Sequence, residues 1–452
     1  MRETMNIGWL WLSADELKIE LKQLEDEGRD VSRLKAQFQR MIKQGNEKLA
    51  RWDTQIKAQA LVDAAQKLPM RKGYAYTEPS DLSGIRKLRV RGPRQYPVKL
   101  SDKELMNRIH GAWLGRCIGC LLGKPVEGVR SWDIEAFLKA TGQWPLRDYI
   151  RFGFSGKAKK DFPDLVSRAW YDKIDHMPID DDTNYTTIGL MIMQERGKDF
   201  TPRDVAMTWM RCLPLEATCT AERLAYRNFA MNIAPPASAL FRNPFREWIG
   251  AQIRADAFGY VNAGNPERAA EFAWRDASIS HVKNGIYGEM LMAAMIAAAP
   301  YCGSIGELLR TGLSEIPETS RLYEDIVTVM AWREEKLSYE AAVANIQKRW
   351  KEDFGHDWCH TNSNAVICAV AFLWGEDDFG TSICRAVMPG FDTDCNGATV
   401  GSIFGMMRGA DAIPHSWQAK LNNTLKTSMT GYETVSVDKI ARDTFVVCKK
   451  LR

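Results

Sequence analysis

The sequence predicts a mainly α-helical protein. Apolar residues recur at three- and four-residue spacing through most of the chain, the period of an amphipathic helix. Runs that alternate apolar and polar residues, the strand signature, are scarce. Glycines repeat every fourth residue in two places, Gly111 to Gly123 and Gly397 to Gly409. That spacing aligns each set on one face of a helix.

The first helix starts at Ser13-Ala14-Asp15-Glu16, which reads as a capping box, and Leu17, Leu21 and Leu24 supply its apolar face. A second helical stretch runs from about Val31 to Leu68, where Pro69 stops it. The two form a helical hairpin. Residues 71–100 read as a linker punctuated by Gly73, Pro79, Gly84, Gly92, Pro93 and Pro97. Between Gly84 and Lys99 lie Arg86, Lys87, Arg89, Arg91, Arg94 and Lys99 with no acid, a pattern expected of a solvated basic segment. These 100 residues form an N-terminal extension. Residues 101–425 follow as a helical body, with runs such as Glu289–Ala299 and Tyr339–Trp350. Residues 426–452 form a C-terminal segment packed on it. Val435–Ile440 and Thr444–Cys448 there are the best strand candidates. No repeat of 20–50 residues is visible, which argues against a solenoid.

The 452 residues are 45% hydrophobic and 26% charged, ordinary for a globular chain with a large core. Lys and Arg number 61 against 57 Asp and Glu, a net charge of +4. So even a balance carries no overall nucleic-acid or membrane signature. Cys117 and Cys120 have CxxC spacing without a second pair nearby, so the ten cysteines read as reduced thiols, several of them buried. There is no secretory leader pattern and no apolar run of about 18 residues. The expectation is a cytoplasmic protein with no membrane or nucleic-acid partner.

The glycine stripes carry the first functional hint. Each glycine inside a helix costs about 1 kcal/mol relative to alanine, so four cost roughly 4 kcal/mol per helix. Close packing of backbone on backbone, or on a ligand, must offset this. Pro125 ends the first striped helix and leaves Glu127 in the following loop, free to point into a cleft. Two acidic knots carry the second hint. Asp180-Asp181-Asp182 precedes an apolar helical run, and Asp392-Thr393-Asp394 precedes the second glycine stripe. A helix N-terminus welcomes one carboxylate, but three in a row exceed what a cap needs. If the knots meet, five carboxylates require a cation. Their oxygen ligands suit Mg²⁺ or Mn²⁺, with Ca²⁺ as a further choice.

Taken together, GAWLGRCIGCLLGKPVEG (Gly111–Gly128), DDDTN (Asp180–Asn184), SHVKNGIYGEM (Ser280–Met290), PGFDTDCNGATVGSIFG (Pro389–Gly405) and GADAIP (Gly409–Pro414) resemble the ADP-ribosylglycohydrolase family in order and rough spacing, over about Asp102–Asn423. The resemblance implies a compact all-α bundle with a site for two metal ions, usually Mg²⁺. It implies hydrolysis of the C1″ glycosidic bond of ADP-ribosylated residues or related conjugates. By position it implies metal ligands Asp181, Asp182, Asp392 and Asp394, with Asp180 where the family commonly has Thr and Cys395 where it usually has a second Thr. Glu127, with Asp181 and Asp182, makes up the implied catalytic set, Glu127 as general base or gate. His281, Gly250, Ala251 and Arg254 are implied on the substrate side.

Two departures stand out. Arg116 occupies a place where the family usually has Asp, and a thiol at Cys395 is a poor Mg²⁺ ligand. They suit a divergent branch acting on another ribosyl or glycosyl bond. They also support a rival from another class, a catalytically diverged ligand-binding module of the same fold; Glu127 and the four carboxylates oppose it. A dehalogenase-type phosphatase reading of Asp392-Thr393-Asp394 fails, because that motif should end a buried strand and here Pro389-Gly390 precedes it. The implied partner is a small-molecule or protein-linked ADP-ribose-like glycoside, and the N-terminal extension is a candidate contact for a homo-oligomer. His356 and His360, four residues apart, read as structural or pocket-lining.

Overall fold

A computed structural model describes residues 5–97, 100–154 and 156–452, almost entirely as helices. Ser13 caps the helix Ala14–Asp26 as its sequence predicts: its side chain accepts from the Glu16 amide, and Glu16 accepts from the Ser13 amide at 3.0 Å. The stretch from Val31 to Leu68 is not one helix but three, Lys35–Lys43, Gly45–Leu49 and Trp52–Ala65. Gly45 has φ +72 and Arg51 is extended, so the chain turns twice. Those turns bring Phe38, Leu49, Leu61 and Val62 onto Leu17 and Leu24, in a small hydrophobic cluster of their own.

The basic segment is not a solvated linker either. It contains a short helix, Leu82–Lys87, capped by Asp81. Arg86 pairs with Glu271 at 2.8 Å, Arg89 with Glu267 at 2.9 Å and with Glu315, and Arg94 with Glu315 at 2.7 Å. Glu315 is fully buried. The acids that clamp this strap arrive from more than 170 residues downstream, beyond the reach of a local charge count. Lys99 lies outside the described residues.

In the body, the two striped helices, Asp102–Gly123 and Thr393–Arg408, lie antiparallel with their stripes face to face. A Cβ at Gly111, Gly115, Gly119 or Gly123 would collide with the backbone of Gly405, Gly401, Gly397 or Thr393 respectively. Backbone therefore packs directly on backbone, the arrangement that offsets the propensity cost. The large hydrophobic core surrounds this pair and includes the buried helices Lys283–Ala298 and Thr361–Leu373.

Near the C-terminus, Thr424–Lys426 and Thr434–Ser436 pair antiparallel, Leu425 opposite Val435. From Val437 to Leu451 the chain is helical, so only Val435 and Ser436 of the Val435–Ile440 candidate lie in a strand, and Thr444–Cys448 is not one. Val437, Ile440, Ala441, Thr444, Val447 and Cys448 are the buried positions. That is a helical stripe, and its packing overrides the β preference of the Thr-Phe-Val-Val run. No helix among the described residues is long and apolar enough to cross a membrane.

Candidate metal centre

The glycine lock decides what meets at its end. Thr393 Oγ1 donates to the Gly123 carbonyl at 2.9 Å, fixing the C-terminus of one striped helix to the N-terminus of the other. A single 3₁₀ turn, Lys124–Val126, then carries the chain to Glu127 at the exposed rim. The first knot opens the helix Asp181–Arg196, where Asp180 caps the Asp182 amide at 2.9 Å. The second knot opens the second striped helix, but Asp392 makes no side-chain cap bond there. Its amide donates to Asn364 Oδ1 at 3.1 Å, which also accepts from Asn396 at 2.9 Å.

The two knots meet. One side-chain atom each from Cys120, Asp180, Asp182 and Asp394 lies within 4.8 Å of the others, and Asp392, Asp394 and Cys395 form a second such group. Asp182 Oδ2 and Asp394 Oδ1 are buried without a hydrogen-bond partner. An unpartnered buried carboxylate oxygen is costly, and a cation relieves that cost. Asp182 and Asp394 therefore fit a hard divalent ion, with Asp392 joined to them through Asp394, the residue the two groups share. Cys395 lies beside them, but burial, then the charge of Asp182, raises its thiol well above the ordinary value. A neutral thiol is a poor partner for such an ion.

Mutual repulsion is visible at three of these carboxyls. Asp181 is half-buried, and its carboxyl is pushed up to about 8 by burial, then by Asp180 and Asp394. Glu127, at the exposed rim, is pushed up to about 9, first by the charge of Asp394. Burial, then Asp394, holds Asp392 well above the carboxylate range. Neither Glu127 nor Asp181 contributes an atom to the two tight groups.

Two protein cations enter the cluster that were not among the expected site residues. The Lys124 ammonium pairs with Asp180. Arg116, fully buried, pairs with Asp182 Oδ1 at 2.7 Å and with Asp256 at 2.9 Å, and donates to the Ile253 carbonyl at 2.6 Å. The sequence did hold a signal for both. Arg116, Cys120 and Lys124 each follow a stripe glycine, so the same four-residue spacing aligns them along one flank of the stripe.

The expected substrate-side residues gather around a residue the sequence reading missed, Glu222. Arg254 is buried against Glu222 at 2.8 Å, Glu289 at 3.7 Å and Asp276, and lies over the Trp209 ring at 5.1 Å. Its guanidinium is committed to carboxylates, not turned to a phosphate. His281 is buried, with Ser280 Oγ 2.8 Å from Nδ1, and burial holds its pKa well below the ordinary value. Its Nε2 has no hydrogen-bond partner and lies 3.9 Å from Glu222. Gly250 leaves room for the Glu222 carboxylate, and Ala251 is buried beside it. These four residues sit apart from the tight acidic groups; Glu222 links the two regions, its charge adding to the rise at Asp181. His356 bonds Asp26 and Trp248, while His360 Nδ1 accepts from the Asn362 amide, so both make structural contacts.

The family profile described as ADP-ribosylglycohydrolase matches residues 101–449. Among solved structures, an ADP-ribosylglycohydrolase-related protein complex is similar at 18% identity and a TM-score of 0.46, covering 77% of this chain and 99% of that one. No curated protein matches the sequence.

Proposed function

The chain belongs to the ADP-ribosylglycohydrolase family, and from that premise we propose that it hydrolyses an ADP-ribosyl or related ribosyl or glycosyl bond with the help of a divalent cation, Mg²⁺ first, at the meeting point of its two acidic knots. The observation that carries this reading is the pair of buried, unpartnered oxygens, Asp182 Oδ2 and Asp394 Oδ1, inside a cluster of carboxylates. Asp182, Asp392 and Asp394 would hold the ion. When bound, such an ion polarises a leaving group or lowers the pKa of a water.

The chain's own residues supply the rest. Breaking a glycosidic bond passes through an oxocarbenium-like state that needs negative charge nearby and a water to trap it. The crowded carboxylates provide the charge. Glu127, at the rim, would take the proton of an attacking water on a carboxylate oxygen, its ionised form restored once the charge of Asp394 is neutralised. Asp181 is half-buried beside the cluster and open to a ribose hydroxyl. Glu222, steadied by Arg254, closes the substrate side.

Asp394→Asn tests the reading. It removes a charge without removing volume, so it should abolish release of ADP-ribose from an ADP-ribosylated peptide while the circular dichroism stays unchanged. Full turnover in this variant would refute the proposal. Loss of Mn²⁺ binding in the variant, with no turnover in the parent chain on any ADP-ribosyl compound, would keep the metal centre and move the substrate to another glycoside.

A further inference from the structure

The acidic cluster divides into a satisfied half and an unsatisfied half. Asp180 has both oxygens engaged: Oδ1 accepts from the Asp182 amide at 2.9 Å, and Oδ2 faces the Lys124 ammonium. Asp182 Oδ1 is engaged by Arg116 at 2.7 Å. Asp182 Oδ2 and Asp394 Oδ1, both buried, have no hydrogen-bond partner. An ammonium is a compact, strongly hydrated point charge, closer to a metal ion in its demands than a guanidinium is. A divalent ion brought to Asp180 would face Lys124 as a like charge at contact range, in a site where water screens poorly.

We propose that the Lys124 ammonium is a resident cation of this cluster: it holds the Asp180 side, so the chain binds a single divalent ion, on Asp182, Asp392 and Asp394. This rests on the metal-dependent reading above. Lys124 is a positioning residue here. It fixes Asp180, which in turn caps the helix that carries Asp181 and Asp182. Arg116 acts alongside it by leaving only one oxygen of Asp182 free. The chemistry follows from the ion count. With one ion in place of two, the Asp180 side of the cleft offers a fixed hydrogen-bond donor instead of an exchangeable metal position.

The test counts ions on the full chain. Protein stripped by a chelator is titrated with Mn²⁺, and free Mn²⁺ is followed by electron paramagnetic resonance. The expected result is one ion per chain in the parent, two in Lys124→Met, and one in Lys124→Arg, which keeps the charge. Two ions in the parent overturn the inference, and this holds even if a variant fails to fold. One ion in Lys124→Met overturns it too, with Lys124→Gln as the second neutral variant. No ion in any of them overturns the metal reading as well, which separates that failure from the failure of the Lys124 assignment alone.

Discussion

Replacing Gly119 by alanine should destabilise the protein, against the intrinsic preference of a helix. Alanine is favoured over glycine inside a helix by about 1 kcal/mol. At Gly119 the added Cβ would overlap the carbonyl of Gly397 and lie 3.0 Å from the Ala398 amide nitrogen. Overpacking a filled interior costs about 1–3 kcal/mol, and more where nothing can yield. Here both partners are backbone, so no side chain can swing aside. The helices must separate, and with them the end that joins Gly123 to Thr393. The propensity gain offsets only part of this, leaving a net loss of roughly 2 kcal/mol or more. For a chain of this length that is on the order of 2–3 °C in Tm. Gly306→Ala is the internal control. Its Cβ would meet only the tip of Arg310, at 3.4 Å. The same substitution should there stabilise by up to about 1 kcal/mol. Differential scanning calorimetry of both variants gives the two signs. A Gly119→Ala protein as stable as the parent, or more so, would refute the backbone-on-backbone account of the stripes.

Arg254→Met should cost about 3–5 kcal/mol, because Asp276, Glu222 and Glu289 would be left as buried acids without their cation; a chemical-denaturation midpoint within error of the parent would contradict that placement. Thr444→Val leaves the buried Trp113 indole N–H, now 3.0 Å from Thr444 Oγ1, without an acceptor. The loss should be about 1–3 kcal/mol by urea unfolding, and Thr444→Ser, which keeps the acceptor, should cost less. Docking of the N-terminal helices should weaken in acid. Burial opposes ionisation of Glu27, but Arg246 and then Lys283 outweigh it and hold the carboxyl down, from 4.5 to about 2. Asp26 is held down in the same way, by His356 and Lys22 against burial. Groups with lowered folded pKa values stabilise above their unfolded values and lose that contribution as pH falls through the folded ones. Glu20, pushed up to about 7 by burial, works in the opposite sense between 4.5 and 7, so the acid loss belongs below 4.5. Protection of residues 14–68 against hydrogen exchange, relative to the intrinsic rate at each pH, should fall between pH 4.5 and 3; unchanged protection there would exclude the ion pairs as the clamp.

Sequence by itself determined the parts that depend on local spacing. A four-residue glycine period reads as a helical face, so the two striped helices and their need for close packing were legible, except that Gly409 ends the second stripe just beyond its helix, at φ +87. So were the capping box at Ser13 and a run of three aspartates longer than a cap needs. The tertiary structure decided what depends on chain segments far apart. Sequence spacing could not show that the two stripes face each other, which is what carries Glu127 and Lys124 to Asp392 and Asp394. Glu315 and Glu267 turned a basic linker into a clamped strap from across the chain. A buried face turned the Val-rich end at Thr444–Cys448 into helix, because packing outweighs β preference where the two disagree. Arg254 turned toward Glu222, Asp276 and Glu289, and Lys124 toward Asp180, for one shared reason. A charge buried away from water must find its partner inside the fold, and no residue type at a single position announces which partner that is.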